Sequence, residues 1–242
     1  TQMMRPYPDY GFILCHCELQ NSSYNALQLG VERRYKAGLF TSLSYTFSKF
    51  IDYNEDNFSS MFPQDPYNLR AERGLSQSHF PHRFTGAMVY DLPFGKMVEN
   101  KAVSYVLGGW QLSGIVTLQS GDQVLISQPS NTAQTFSRSF RPNQIGDPIL
   151  AKNERSLTRW FNTSAFAAPA PLTYGTSPKF PDIQGPGLAS VDISIIRFFK
   201  LPFREGMKFE LRGDIFNALN RVNFNAPSGA FGTPNFGRIT SA

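Results

Sequence analysis

Leu39-Phe-Thr-Ser-Leu-Ser-Tyr-Thr-Phe-Ser-Lys-Phe-Ile51 alternates apolar and polar residues through its whole length. Leu39, Thr41, Leu43, Tyr45 and Phe47 fall on one face, and Ser42, Ser44, Thr46 and Ser48 on the other. Successive side chains of a strand point to opposite faces, so the stretch predicts a strand with one greasy and one wet surface. Its length also matters. Strands of globular sandwiches usually run about 5 or 6 residues, whereas a tilted strand of about 9 to 11 or more crosses a bilayer.

Five further stretches repeat the pattern. Tyr24 to Tyr35 carries Leu27, Leu29 and Val31 on one face, and the tight Lys36-Ala-Gly38 turn joins it to the Leu39 strand as a hairpin. Arg83 to Leu92 sets Phe84, Met88, Tyr90 and Leu92 opposite Arg83, Thr85 and Asp91, and Pro93-Phe-Gly95 ends it. Gly109 to Gln119 sets Trp110, Leu112, Val116 and Leu118 opposite Gln111, Ser113, Thr117 and Gln119. Leu188 to Leu201 and Met207 to Leu219 make a last pair around Pro202-Phe-Arg-Glu-Gly206. There Val191, Ile193, Ile195, Phe209, Leu211 and Ile215 face outward. Lys208, Glu210, Arg212 and Asp214 alternate in sign on the inner face beside Asp192 and Ser194.

The connections alternate between short turns and the long polar stretches 52–81 and 121–187. That asymmetry is how outer-membrane barrels are built, with tight periplasmic turns and long external loops. The reading is therefore all-β: an antiparallel meander of long transmembrane strands, an incomplete segment of a large outer-membrane barrel. Charges support the choice of faces. An Arg or Lys facing lipid costs about 2 to 4 kcal/mol at the midplane and little at the interface. The charged residues on lipid-facing positions are Arg33, Lys49 and Arg197, and each lies near a strand end.

Bulk composition excludes other classes. No apolar stretch approaches the roughly 18 to 20 residues of a transmembrane helix. Mean hydropathy is −0.28, which a barrel tolerates because only alternate residues meet lipid. The net charge of +5 is spread along the chain, so it leaves no nucleic-acid footprint. There is no amino-terminal signal peptide, and Arg5-Pro-Tyr-Pro-Asp9 has the composition of a loop, which together read as a piece of a longer exported protein.

Candidate sites are few. Cys15 and Cys17 flank His16 without further ligands nearby; in a strand their Cα atoms would lie about 6 to 7 Å apart, near the limit for an unstrained disulfide. A structural role is expected for them. His79 and His82 are spaced like a metal pair but lack a third ligand, and are expected to serve a loop and a strand start. Asp52-Tyr-Asn-Glu-Asp56 begins like a calcium loop, yet Asn57 and Pro63 stand where Gly and Glu are required. Trp110 and the Phe and Tyr residues near strand ends read as membrane-interface anchors. Arg70-Ala-Glu72-Arg73 reads as an internal ion-pair network, with a place on a substrate route as its alternative. Leu157, Trp160 and Phe161 stand at helical spacing and predict a short helix over 156–161. No catalytic motif, metal site or cofactor site is present, so no enzyme activity and no cofactor are expected.

Several stretches resemble the carboxy-terminal barrel of TonB-dependent outer-membrane receptors of the Oar-like group, which carry a carboxypeptidase-regulatory-like domain. They are Asn21-Ser-Ser-Tyr-Asn-Ala-Leu-Gln28, Ser44-Tyr-Thr-Phe-Ser-Lys49, Asn68-Leu-Arg-Ala-Glu-Arg-Gly74 and His82-Arg-Phe84. Further on come Leu92-Pro-Phe-Gly95, Gly108-Gly-Trp-Gln-Leu-Ser-Gly114, Arg159-Trp-Phe-Asn-Thr163 and Gly185-Pro-Gly187. Phe216-Asn-Ala-Leu-Asn-Arg-Val-Asn-Phe224 and Phe236-Gly-Arg-Ile-Thr-Ser-Ala242 complete the series. All stand in the family's order. The family usually places an acidic residue shortly before His-Arg-Phe, where this chain has His79 and Pro81.

The resemblance implies a wall segment of an energised receptor in the outer membrane of a Gram-negative-type bacterium. Its partners would be outer-membrane lipid, a plug domain, the TonB complex and a bulky transported substrate. It further implies that signal peptide, regulatory domain, plug and terminal strand lie outside this chain, and that the chain alone aggregates or fails to insert. Two alternatives stand beside it. One is a barrel that binds partners through its external loops without transport. The other is a secreted carbohydrate-binding sandwich, in which Leu43, Val116, Ile193 and Leu211 would be covered by a second sheet.

Overall fold

Ala37 and Gly38 both sit at positive φ, 54° and 80°, the backbone that lets a two-residue turn follow the right-handed twist of its strands. The turn joins β1 (Ser23–Lys36) to β2 (Leu39–Asp52). The computed structural model describes residues 7, 9, 21–53, 62–97, 99–135, 137, 139–200 and 207–242. Cys15, Cys17, the 54–56 part of the acidic stretch and the Pro202–Gly206 turn lie outside them.

Beyond the hairpin come β3 (Gly74–Leu75), β4 (His82–Asp91), the helix α1 (Lys101–Leu107) and β5 (Trp110–Gln119). β6 (Asn143–Gln144), β7 (Phe166–Ala167), β8 (Leu188–Lys200) and β9 (Lys208–Ile215) follow. The long strands form one antiparallel meander in the order β1-β2-β4-β5-β8-β9, and β3 pairs with the end of β2. A two-stranded sheet of β6 and β7 stands apart.

Register carries the face assignment from strand to strand. Leu29 pairs with Tyr45, Tyr45 with Phe84, Phe84 with Leu118 and Leu118 with Ala189. A second row runs Leu39, Tyr90, Leu112, Ile195, Gly213. Paired residues point to the same side of a sheet, so each strand adds its apolar residues to one continuous surface. Ser44, Thr85, Thr117 and Ser190 form a matching row on the opposite side. Apolar residues join that side too, among them the Phe40–Val89 pair, Ile115 between Ala87 and Asp192, and Ile196 opposite Gln111.

The apolar side is uncovered. Leu29 is 55% exposed, Met88 39% and Ile195 40%, although such rows are normally the first to be buried. Among the described residues no second sheet lies over Leu43, Val116, Ile193 or Leu211, contrary to the sandwich alternative. No helix among them is long and apolar enough to cross a membrane.

Two expectations are corrected. The last strand stops at Ile215 rather than Leu219. Asn217 and Asn220 take positive φ (47° and 48°), a region Asn enters more readily than most residues, and the chain turns off the wall. The Asn217 amide then donates to the Asp192 carboxylate at 2.8 Å. Nor do residues 156–161 form a helix. Ser156 and Arg159 close a tight turn with paired backbone hydrogen bonds of 2.9 and 3.2 Å, and Trp160 N donates to Gly237 O at 2.8 Å. A single turn fixes several residues for one hydrogen bond, so tertiary bonds outcompete it.

The dry core is not in the wall. It consists of Val124, Ile126, Phe161, Ala165, Phe166 and Ile183, all from the long 121–187 connection, with Trp160, Phe231 and Phe236 packed against it. The 121–187 connection and the segment after β9 thus fold together as a cap.

Candidate functional site in the external cap

The 62–81 segment leads into the wall at β4. Its middle is held down by a 3-10 turn, Leu69–Glu72, and by β3. This places Glu72 under the cap at 4% exposure. Arg141, from the 121–187 connection and 3% exposed, donates from Nη1 to Oε2 at 2.6 Å and from Nη2 to Oε1 at 2.8 Å. Such a two-point fork fixes both orientation and distance. Lys179 Nζ lies 3.9 Å from Oε2, and the Gln64 amide donates to Oε1 at 2.9 Å.

The neighbours close around this centre. Gln64 Oε1 accepts from Arg141 N at 2.9 Å, and Gln64 Nε2 donates to Gly175 O at 2.9 Å. Residue 175 must be glycine: a Cβ there would sit 1.9 Å from Arg141 O. The Glu72–Arg141 fork is a clasp between two loops.

Of the Arg70-Ala-Glu72-Arg73 cluster, only Glu72 enters an ion-pair network among the described residues, and its partners are not its sequence neighbours. Arg70 and Arg73 are exposed. Glu72 reaches instead to Arg141 and Lys179. Sequence reading missed both, because they lie in polar sequence without periodicity.

Aromatic packing completes the cap. Phe236 meets Phe161, Phe166 and Phe231 edge-on, with ring centroids 5.1, 5.6 and 5.5 Å apart. Edge-to-face geometry is the favoured arrangement for such rings. Trp160 Nε1 donates to Gln184 O at 2.7 Å, so this tryptophan is structural.

The two histidines are separated by function as well as by position. His79 is buried, and its Nδ1 accepts from Phe50 N at 3.3 Å, which requires a neutral ring. Burial pulls its pKa below the ordinary value; Asp182 opposes that shift and Lys49 adds to it. His82 is exposed, hydrogen-bonded to Tyr45 Oη at 2.8 Å and packed against the rings of Tyr45 and Phe47. Among the described residues no three metal-ligating side chains converge. An open cleft between the end of β2 and the cap is lined by Phe47, Lys49, His79, Gln144, Asp182 and Gln184. It offers both charges and an aromatic edge.

At the other end of the wall, Trp110 stacks on the guanidinium of Arg197, whose Cζ is 5.3 Å from the ring centre. On the inner face Arg212 pairs with Asp214 at 2.8 Å, and Ser194 Oγ donates to Asp214 at 2.5 Å. That is part of the expected charged ladder.

The sequence model of a family described as an outer membrane beta barrel domain matches residues 1–242. No curated protein and no solved structure matches the chain.

Proposed function

The chain belongs to the outer membrane β-barrel domain family, and from that premise we propose that it is wall and external cap of a TonB-dependent receptor that carries a bulky substrate across the outer membrane. Its location is the outer membrane of a Gram-negative-type bacterium, and its barrel-wall role follows from the family and the meander. Energised transport is the further step. The ordered series of receptor-like stretches, from Asn21-Ser-Ser-Tyr24 to Phe236-Gly-Arg-Ile239, supports it.

The single observation that carries the reading is the cap. The 121–187 connection and the segment after β9 share an apolar core, and the Glu72–Arg141 pair clasps the 62–81 connection to it. A rigid cap with an open cleft at its base gives a substrate a defined surface to meet before it reaches a pore. Loops on rigid scaffolds are where binding residues concentrate. In this reading the wall supplies no chemistry. Its partners are lipid outside, a plug domain within, the TonB complex beyond the periplasmic turns and an unidentified cargo, but no nucleic acid and no cofactor.

The test is growth and uptake with the full-length protein in cells with and without TonB. Transport that vanishes without TonB supports the reading. Cell attachment or partner binding that persists unchanged without TonB, with no substrate uptake, replaces it by the loop-binding alternative.

A further inference from the structure

Arg197 stands on the apolar side of the wall, directly opposite Trp110, where a cation would ordinarily meet lipid. It is only 5% exposed. Nη1 donates to Val106 O and Nη2 to Tyr105 O, the last carbonyls of α1, and the guanidinium lies over the Phe199 ring at 4.1 Å. A cation at the carboxyl end of a helix meets unpaired carbonyls and the negative end of its dipole. Arg197 therefore holds the carboxyl end of the helix on the lipid side of the wall.

The segment that precedes the helix is locked to it. Ser104 Oγ donates to Gly95 O at 2.6 Å. A Cβ on Gly95 would come within 2.5 Å of Gly108 Cα, so both ends of this excursion need glycine to close. Anchoring at Arg197 leaves apolar side chains of the excursion open: Phe94, Met97, Val103, Tyr105, Val106 and Leu107 are all exposed. Through Arg197 these residues stand at the end of the apolar face of β5 and β8.

We infer that the Pro93–Lys96 turn and α1 form a collar embedded at the boundary between headgroups and acyl chains of the periplasmic leaflet, with phospholipid as its occupant. The hairpin end of the meander is the periplasmic end, because the long connections leave from the other. A short helix rich in exposed apolar side chains, its polar backbone end covered by an arginine, suits that depth. Arg197 is its positioning residue.

The experiment places a photoreactive benzophenone amino acid at Val106 of the full-length protein in intact outer membranes and identifies the adducts by mass. Met88, in the middle of the wall, and Leu157, exposed in the cap, serve as references. Phospholipid adducts at Val106 as frequent as at Met88, and rare at Leu157, are expected. Crosslinks to protein at Val106, or a yield no higher than at Leu157, overturn the collar. If Met88 also lacks phospholipid adducts, the wall reading itself fails. Arg197→Gln should sharply reduce adducts at Val106 and spare those at Met88. Unchanged adducts at Val106 overturn the anchoring role; if this variant does not assemble, the unsubstituted pattern still decides.

Discussion

The guanidinium of Arg141 grips the carboxylate of Glu72 at 2.6 and 2.8 Å across 69 residues of chain. Everything between them leaves the 62–81 connection, crosses the wall twice and returns, so the pair ties two loops that local sequence cannot tie. Removing one partner strands a buried charge, which typically costs about 3 to 5 kcal/mol. Glu72→Gln or Arg141→Met should loosen the cap by about that much. Limited proteolysis of the full-length protein should show new cleavage within 121–187, while heat-modifiable migration of the barrel is retained. The double variant should be less damaged than the sum of the singles, because neither Glu72 nor Arg141 then faces a neutralised partner.

A second expectation concerns the cap's apolar centre. Phe161 is almost fully buried and meets two phenylalanine rings. Phe161→Ala should cost the cap about 3 to 5 kcal/mol, read as faster hydrogen exchange in 121–187 and 226–240. Exchange in β2 and β4 should stay unchanged.

Acid should act through His79. Its folded-state pKa lies below the free value of 6.5, so the folded cap binds fewer protons than the unfolded one. The stability this neutral ring contributes is fully present above about pH 6.5 and is lost as pH falls below it. Protease resistance of the cap should decline from pH 7 towards pH 5. His79→Gln, which keeps an acceptor for Phe50 N, should flatten that decline.

Neighbouring substitutions on one strand should have opposite outcomes. Leu43 is on the uncovered apolar side and Ser44 on the polar side, both near the middle of β2. Leu43→Arg should cost about 2 to 4 kcal/mol in the membrane and lower the amount of assembled barrel. Ser44→Arg should assemble nearly as well as the unsubstituted protein. Quantitative heat-modifiability of outer-membrane fractions separates the two.

The wall was legible because period two is a local signal. Leu39 to Ile51 announces its faces without reference to any partner, and β2 extends from Leu39 to Asp52 as the alternation requires. The same signal overran at the last strand, since Ile215 and Leu219 keep the apolar spacing while Asn217 and Asn220 bend the chain. The cap was hidden for the opposite reason. Val124, Phe161 and Phe236 come from separate stretches, and their spacing carries no period. Glu72 was visible as part of a charged cluster, but its partners were not, since Arg141 and Lys179 are brought to it only by folding. The helical spacing of Leu157, Trp160 and Phe161 was real and misleading, because Trp160 and Phe161 pack into the cap while Ser156 and Arg159 close a turn.

The most direct measurement is a nitroxide scan of positions 39 to 51 in the full-length protein, reconstituted in lipid bilayers, with oxygen and a water-soluble nickel chelate as relaxation agents. Alternation should be strict in the middle of the strand: 41, 43, 45 and 47 relaxed by oxygen dissolved in the acyl region, 42, 44 and 46 not. Equal accessibility at neighbouring positions, or shielding of 43 and 45 from oxygen, would contradict a wall with one side in hydrocarbon.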